Sequence, residues 1–590
     1  MLAKRSPPQA PTKIECAGTL TEDRTAWATE LQRHCSGKYH DDQETAKAQG
    51  LRLAKLRSIQ RCAELDGITA PKLDVSVAAL QARARMAHGK CNGGGEDIVV
   101  EMIRQLPVSV VYVIADLFEK RYSGEVCEDV MSWHAIIMIF LPKVPRPRTL
   151  KHFRGISLLS VMSKWYMQCL YLLAKRGPKP AKHHHVCIYS YENSLGTRHI
   201  TTTLQHLMSR GWEWQNQAPI FVFNGDIFAA FDDMRPETIA EALQAAQLHP
   251  RLVAALLQET IGLQCAPEFA GVTLDERVPF TKCARQGAVE SAFEWNTIMF
   301  MCLADLVPLW HESGYGIQLG DRRYTHVVWA DNIWLLAHQH DHLQAMITSL
   351  TAVLAHHKLA WKPESLCYKV STADSYSDLT ASIADVGHPV CRVEAMEILG
   401  AWVTQCGATV PALLHRIAKA EKAFWADKGV LLNKSVPLNL RLKRYYERIV
   451  PKVLYSCGSW AWCQSLCQRL VVWEGKCLRR IVGIARGPAE TWLAWFRRST
   501  NKARKFYASM GFHPLSLRVL QEVHRTAGLL QRPSPVTFTA ARATLVLLED
   551  AIVWRDTWWW HREQAFGQLE DPSGHTGWKH AGNFGNRGST

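Results

Sequence analysis

Two apolar, β-rich runs each close on a carboxylate, and this pair of features restricts the chain more than any other. The first is Ala218-Pro-Ile-Phe-Val-Phe-Asn-Gly-Asp226, which continues as Ile227-Phe-Ala-Ala-Phe231-Asp232. The second is Tyr324-Thr-His-Val-Val-Trp329-Ala330-Asp331, which continues as Asn332-Ile-Trp-Leu-Leu-Ala337. A short unbroken apolar run bounded by polar residues predicts a buried strand. Residues 220–225 therefore form one strand with Asp226 at its end. Thr325–Trp329 and Ile333–Ala337 form two more around a tight turn at Ala330-Asp331-Asn332. A carboxylate at the exposed end of a buried strand suits a hard, oxygen-seeking cation such as Mg²⁺. Asp226 and Asp331 are expected to lie close together despite their separation in sequence. Asp233 and Pro236 suit the start of a helix just beyond.

Charge points to a polyanionic partner. The 590 residues carry a formal net charge of +15. Residues 411–510 alone hold 20 Lys and Arg against 5 Asp and Glu, so that window supplies the whole excess. Aromatic residues are interleaved with it (Trp425, Tyr445, Tyr446, Trp460, Trp462, Trp473, Trp492, Trp495). Basic and aromatic side chains together suit a surface that follows a nucleic-acid strand, although many of these rings must fill core. The 17 cysteines are odd in number, with no Cys-x-x-Cys pair and no zinc-knuckle spacing, which argues for a reducing, intracellular setting in nucleus or cytoplasm. Cys457, Cys463, Cys467 and Cys477 are expected to be core residues. No apolar run reaches the roughly 18 residues of a membrane span, and no membrane partner is expected. Met1 to Pro11 has no apolar stretch for a signal peptide and reads as a short disordered lead.

Between the two acidic segments lies Arg285-Gln286-Gly287-Ala-Val-Glu-Ser291-Ala-Phe-Glu-Trp295-Asn296. The order Asp226, Arg-Gln-Gly, Ala330-Asp331 resembles the reverse transcriptases of non-LTR (LINE-type) retrotransposons. The likeness extends over residues 89 to 484. Gly89-Lys-Cys-Asn-Gly-Gly-Gly-Glu96, with Asp97, resembles the loop that opens that family's fingers. Leu141-Pro142-Lys143 and Phe153-Arg154-Gly155-Ile-Ser-Leu-Leu resemble its Ile-Pro-Lys and Tyr-Arg-Pro-Ile-Ser-Leu-Leu pieces, with Gly155 in place of Pro. Leu359-Ala-Trp-Lys362-Pro-Glu, Glu397-Ile-Leu-Gly400 and Ile449-Val-Pro-Lys-Val-Leu-Tyr455 continue the resemblance, as does Trp473-Glu-Gly-Lys-Cys-Leu-Arg479-Arg480.

The resemblance implies a right-hand polymerase fold of class α+β, with fingers, a palm of antiparallel sheet on helices, and a helical basic thumb. It implies two-metal nucleotidyl transfer with two Mg²⁺ ions, or Mn²⁺ in their place. RNA template, DNA primer and deoxynucleoside triphosphates are the implied partners. Asp226 and Asp331 are the implied metal ligands, with the Ile227 carbonyl as helper. Asp232 competes for the same role. Lys143 and Arg154 are the implied triphosphate clamp: Lys gives a point charge and Arg a bidentate fork. Phe231 falls at the gate against a 2′-hydroxyl. Gln286 and Gly287 face the base pair, and Lys358 or Lys362 is a weaker proton donor to pyrophosphate. Arg444, Arg479 and Arg480 are expected on the nucleic-acid face.

Asn332 departs from the family pattern, which has a second Asp there. An amide keeps an oxygen ligand but loses a charge, so metal affinity should fall. RNA-directed DNA synthesis is the favoured function. A catalytically inactive copy that only binds nucleic acid is the alternative, kept open by Asn332. A polymerase making RNA on RNA is the third, and Phe231 argues against it. The expected divisions are 1–88, a helical and partly disordered extension; 89–405, fingers and palm; 406–500, thumb; and 501–590, an extension of unknown role. His183-His184-His185 reads as a solvated loop, and Trp554-Arg-Asp-Thr-Trp-Trp-Trp560 suggests no function. With no endonuclease segment read ahead of residue 89 and no RNase H carboxylates after 484, a piece of a longer element protein or a degenerate copy is expected.

Overall fold

A computed structural model describes residues 11–530, apart from 41–45, 66–69, 88–97, 126–130, 145, 178–179, 181–185, 193–194, 215–218, 275, 283, 320–321, 405–408, 461 and 463. The glycine-rich loop with Asp97, His183–His185, Cys463 and the tryptophan cluster after 553 lie outside the described residues. The fold is mixed α+β.

Both acidic runs form strands, and they are neighbours. A six-stranded sheet runs in the order His326–Trp329, Asn332–Ala337, Phe221–Asp226, Cys367–Val370, Val386–Arg392, Leu379–Ile383. Its pairings are antiparallel except that of Cys367–Val370 with Val386–Arg392. The runs are apolar without alternation because both faces are covered. Phe221, Phe223, Ile333 and Leu335 enter one core, while Val222, Trp334 and Leu336 enter another. Register pairs Gly225 with Ile333 and Asp226 with Asn332. A one-residue slip would exchange the two faces and move Asp226 off the Asp331 turn. Gly225 has no side chain because Trp361 lies on it: a Cβ there would stand 2.8 Å from the indole.

A second sheet has the order Phe153–Leu158, Ala135–Pro142, Gln264–Phe269, Val272–Thr273, with Val278–Pro279 also on Gln264–Phe269. The short helix Met131–His134, which carries Trp133, leads directly into the strand Ala135–Pro142. The N-terminal helix Arg24–Tyr39, capped by Asp23 accepting from Thr25 N at 3.0 Å, covers this sheet. Trp27, Leu31, Cys35 and Tyr39 share one core with Ile136, Met138, Phe153 and Phe269. Leu56, Leu80 and Ala84 join the main core. Residues 1–88 therefore include no separate extension among those described: their helices complete the body of the protein.

Gly155 shows why glycine stands where the resemblance expects Pro. A Cβ at that position would lie 2.6 Å from both Tyr39 Oη and Met138 Sδ, so the N-terminal helix occupies its space. Gly155→Ala should cost about 1–3 kcal/mol by overpacking. Urea denaturation measures this; a loss under about 0.5 kcal/mol would show that Tyr39 and Met138 move aside freely.

The basic window is helical. Thr409–Ala426, Leu438–Arg448, Val450–Leu454, Gln464–Val482, Trp492–Ser509 and Leu515–Leu530 share one core. Tyr445, Trp460, Trp462 and Trp473 are buried in it, as are Cys457, Cys467 and Cys477. Ala503, Tyr507, Leu515 and Val519 belong to the same core. A division at residue 500 is thus misplaced, since it would cut the helix Trp492–Ser509. One described stretch, Ser291–Glu312, is long and apolar enough to cross a membrane by length and composition alone, although Glu294 and Asp305 interrupt it. However, 67% of its most apolar window is buried inside the protein.

Candidate active site

The strand ends converge as the two runs suggested. Asn332 lies directly opposite Asp226, and Ile227 N donates to Asp331 O at 2.8 Å. Backbone bonds hold Asp226 from both sides. Its N–H donates to Ser365 Oγ at 2.8 Å, and its carbonyl accepts from Lys362 N at 2.8 Å. Ile227, expected to lend its carbonyl, follows in an isolated bridge with Trp361, its side chain buried. On the facing turn Ala330 has φ +52°, a left-handed conformation that costs a residue with a Cβ about 1–2 kcal/mol. Trp295 Nε1 donates to Ala330 O at 2.8 Å and holds it there.

Asp226 and Asp331 are half-buried. The Asp226 carboxyl is raised from its ordinary 3.8, first by burial and then by the charge of Asp331, with Lys362 opposing. Two carboxylates that repel each other in a half-buried site form a place for a cation. Asn332 turns its amide toward Asp331, with Nδ2 donating to Oδ1 at 3.2 Å. Among the described residues no group of three His, Cys, Asp or Glu could hold a metal. The side-chain oxygens at these strand ends are those of two carboxylates and one amide, Asp226, Asp331 and Asn332.

This electrostatics sets a pH prediction for the metal-free protein. A carboxyl raised in the folded state contributes stability that is present below 3.8 and lost as pH rises through its folded value. In EDTA, Asp226→Asn should melt above wild type near neutral pH, with the gap closing toward pH ~4. Mg²⁺ at ten times its dissociation constant should then stabilise wild type by about 1.4 kcal/mol and leave the variant unmoved. A gap that widens on acidification would contradict the like-charge account.

A cationic patch surrounds Asp232 and reaches Asp226 through Lys362. Lys143 follows the strand Ala135–Pro142, its N–H bonded to His152 O at 2.8 Å, and Arg154 lies opposite Leu141 in the paired strand. Both are exposed. Lys143 is lowered from its ordinary value, first by burial and then by Lys38, with Arg154 and Lys362 adding to this and Asp232 opposing. Lys362 acts on both Lys143 and Asp226 and so links the patch to the carboxylates.

Phe231 is half-buried, its ring centroid 5.7 Å from that of Trp295. The Gln286 side chain is tied down, with Nε2 donating to Asp232 Oδ1 at 3.0 Å, and its backbone carbonyl accepts from Ser157 N at 2.9 Å. Asp232 also pairs with Lys38 at 3.0 Å, so it is engaged as an anchor and not beside Asp226 as a rival ligand. Asp233 does not cap the helix Pro236–Ala245 and pairs with Lys282 at 2.9 Å. Gly287 has φ +111°, which glycine tolerates, and a Cβ there would lie 3.3 Å from Ser157 O. Asn296 is a core tether, its Nδ2 donating to Ser190 O at 2.7 Å.

The three arginines expected on the nucleic-acid face diverge. Arg444 is bound to Asp427, with Nε–Oδ2 3.0 Å, inside the helical unit. Arg479 donates to Thr500 Oγ1 at 2.9 Å and lies 4.1 Å above the Phe496 ring. Only Arg480 among them is exposed, 5.0 Å above the half-exposed Trp425. The Leu399-Gly400 turn, with φ +47° and +81°, is fastened to the helical unit: Tyr455 Oη donates to Leu399 O, and the Arg416 guanidinium lies 4.6 Å over the Tyr455 ring.

Sequence reading missed Trp295, which supports both Phe231 and the Asp331 turn, and Lys38. It named Lys362 only weakly. The placement of Trp295 beside the quoted Arg-Gln-Gly segment was a signal; nothing in the sequence marks Lys38. No protein-family model matches the chain, and no curated protein matches it.

Proposed function

We propose that the chain is an RNA-directed DNA polymerase of the non-LTR retrotransposon type, extending the 3′-hydroxyl of a DNA primer with deoxynucleoside triphosphates. The observation that carries this reading is the meeting of Asp226 with Asp331 on adjacent strand ends, with Lys362 acting on Asp226 and on Lys143. In this reading the six-stranded sheet is the palm, the sheet bearing Lys143 and Arg154 belongs to the fingers, and the basic helical unit is the thumb. Two Mg²⁺ ions, when bound by Asp226, Asp331 and a backbone oxygen at Ile227, supply the charge that activates the primer hydroxyl and steadies pyrophosphate. The protein's own part is positioning. Lys143 and Arg154 hold the triphosphate, and Phe231, backed by Trp295, closes the space a 2′-hydroxyl would need.

Asn332 favours a second reading, an inactive copy that still binds nucleic acid, because it leaves the site one carboxylate short. Primer extension on a defined RNA template, in Mg²⁺ and then Mn²⁺, separates the two. Extension with deoxynucleotides and not ribonucleotides supports the polymerase. Intact primer–template binding with no extension in either ion leaves the inactive copy. Extension with ribonucleotides alone would overturn the assignment of Phe231.

A further inference from the structure

We propose that Lys38, on the N-terminal helix Arg24–Tyr39, is a third basic group of the nucleoside-triphosphate pocket, acting on the same polyphosphate as Lys143 and Arg154. The inference rests on the polymerase reading and extends it to a segment in which the sequence displays no chemistry.

Position comes first. Lys38 lies in the last turn of its helix, with Nζ 3.0 Å from Asp232 Oδ2, and both side chains are largely buried. Asp232 directly follows Phe231, and its other oxygen holds Gln286. Lys38 thus reaches into the first acidic segment from an element far away in sequence.

Charge comes second. Lys38 is the strongest charge acting on Lys143, ahead of Arg154 and Lys362. Lys38, Lys143, Arg154 and Lys362 therefore share a neighbourhood with Asp232, and Lys362 also acts on Asp226. Asp232 is the carboxylate paired with Lys38 among the described residues, and one carboxylate does not neutralise four cations. A polyphosphate carries several negative charges and complements that excess.

Rigidity comes third. The helix end is fastened to both segments that would frame a nucleotide. Tyr39 O accepts from Thr281 N at 3.1 Å and Lys282 N at 3.3 Å, just before Arg285-Gln286-Gly287. The Tyr39 ring lies 4.7 Å from Phe280, and its hydroxyl lies over Gly155, next to Arg154. The Lys38 ammonium sits 5.0 Å from the Tyr39 ring centroid. Little ordering remains to be done when a ligand arrives. Lys38 would then exchange Asp232 for phosphate oxygens, while Gln286 keeps Asp232 in place.

The test is equilibrium binding of a labelled deoxynucleoside triphosphate to the full-length protein on a primer–template whose primer lacks a 3′-hydroxyl, so that no chemistry occurs. Lys38→Ala should weaken triphosphate binding about tenfold, the loss of one charge-assisted contact. Lys38→Arg should retain most of the affinity, and primer–template affinity should be unchanged in both. Asp232→Asn frees Lys38 and removes a negative charge, so it should tighten triphosphate binding. A Lys38 that merely neutralises Asp232 predicts the opposite: Asp232→Asn would weaken binding as Lys38→Ala does. That result, or wild-type affinity in Lys38→Ala, overturns the proposal. Lys143→Ala is run alongside. If it too binds as wild type, the pocket itself is misassigned and the polymerase reading fails with it; if it alone weakens, only the role of Lys38 is lost.

Discussion

Asp226→Ala and Asp331→Ala should each reduce primer extension by at least about a thousandfold while leaving primer–template binding intact. Each residue supplies one of only two carboxylates at the strand ends, so either change halves the negative charge available to a divalent cation. The fold should survive both changes. Asp226 is fixed through its backbone, by Ser365 Oγ and Lys362 N, and an alanine keeps both bonds. The Asp331 turn is held through its backbone too, by Ile227 N on Asp331 O and by Trp295 on Ala330 O. Removing one of two repelling carboxylates should, if anything, raise the melting temperature without metal. Single-turnover extension gives the rate, fluorescence anisotropy the binding and calorimetry the stability. Extension within tenfold of wild type would sink the polymerase reading. Loss of binding together with a lower melting temperature would make the carboxylates supports of the fold and not of chemistry.

The parts of this site that were legible in the sequence are those fixed by local pattern. Phe221 to Phe223 and Ile333 to Ala337 are apolar on both faces because the sheet is covered on both sides, so the strands and the carboxylate at the end were written in a few residues. Contacts between distant elements were not. The charge count that marked the basic window includes Arg444 but says nothing of Asp427, the carboxylate that takes it out of play. Arg479 likewise reads as a surface cation until Thr500 and Phe496 fold beside it. Those partners lie on the helix Trp492–Ser509, beyond the last residue of the resemblance, and its buried face, Ala503 and Tyr507, ties it to the helices before it. Gly155 could be seen as a departure from Pro, but its cause is Tyr39, more than a hundred positions upstream. Lys38 is the same case at the site itself: its meaning depends on Asp232, which no periodicity in Arg24–Tyr39 discloses.

Asn332→Asp should lower the Mg²⁺ needed for half-maximal extension on the order of tenfold and remove any preference for Mn²⁺. In wild type, Asn332 faces Asp226 across the sheet and spends its amide on Asp331 at 3.2 Å. A carboxylate cannot donate that bond. Without metal the substitution therefore places three like charges at one strand end, and the variant should melt below wild type in EDTA. With metal the sign reverses. A unit charge pair at 4 Å in a partly screened site is worth about 4 kcal/mol. Stripping water from the new carboxylate offsets most of that, which leaves a gain of about 1.4 kcal/mol, or tenfold. The melting curves of the two proteins should thus cross as Mg²⁺ is titrated, a readout independent of turnover. Mn²⁺ binds similar oxygen sites more tightly, so it should help wild type more than the variant. Equal extension by both proteins at limiting Mg²⁺ would show that two carboxylates suffice and that the missing charge is immaterial. Inactivity of both in either ion, with primer–template still bound, would decide for the inactive copy. In that case the crossing melting curves would still locate the cation at Asp226 and Asp331, and the defect would have to be sought in the residues that hold the nucleotide.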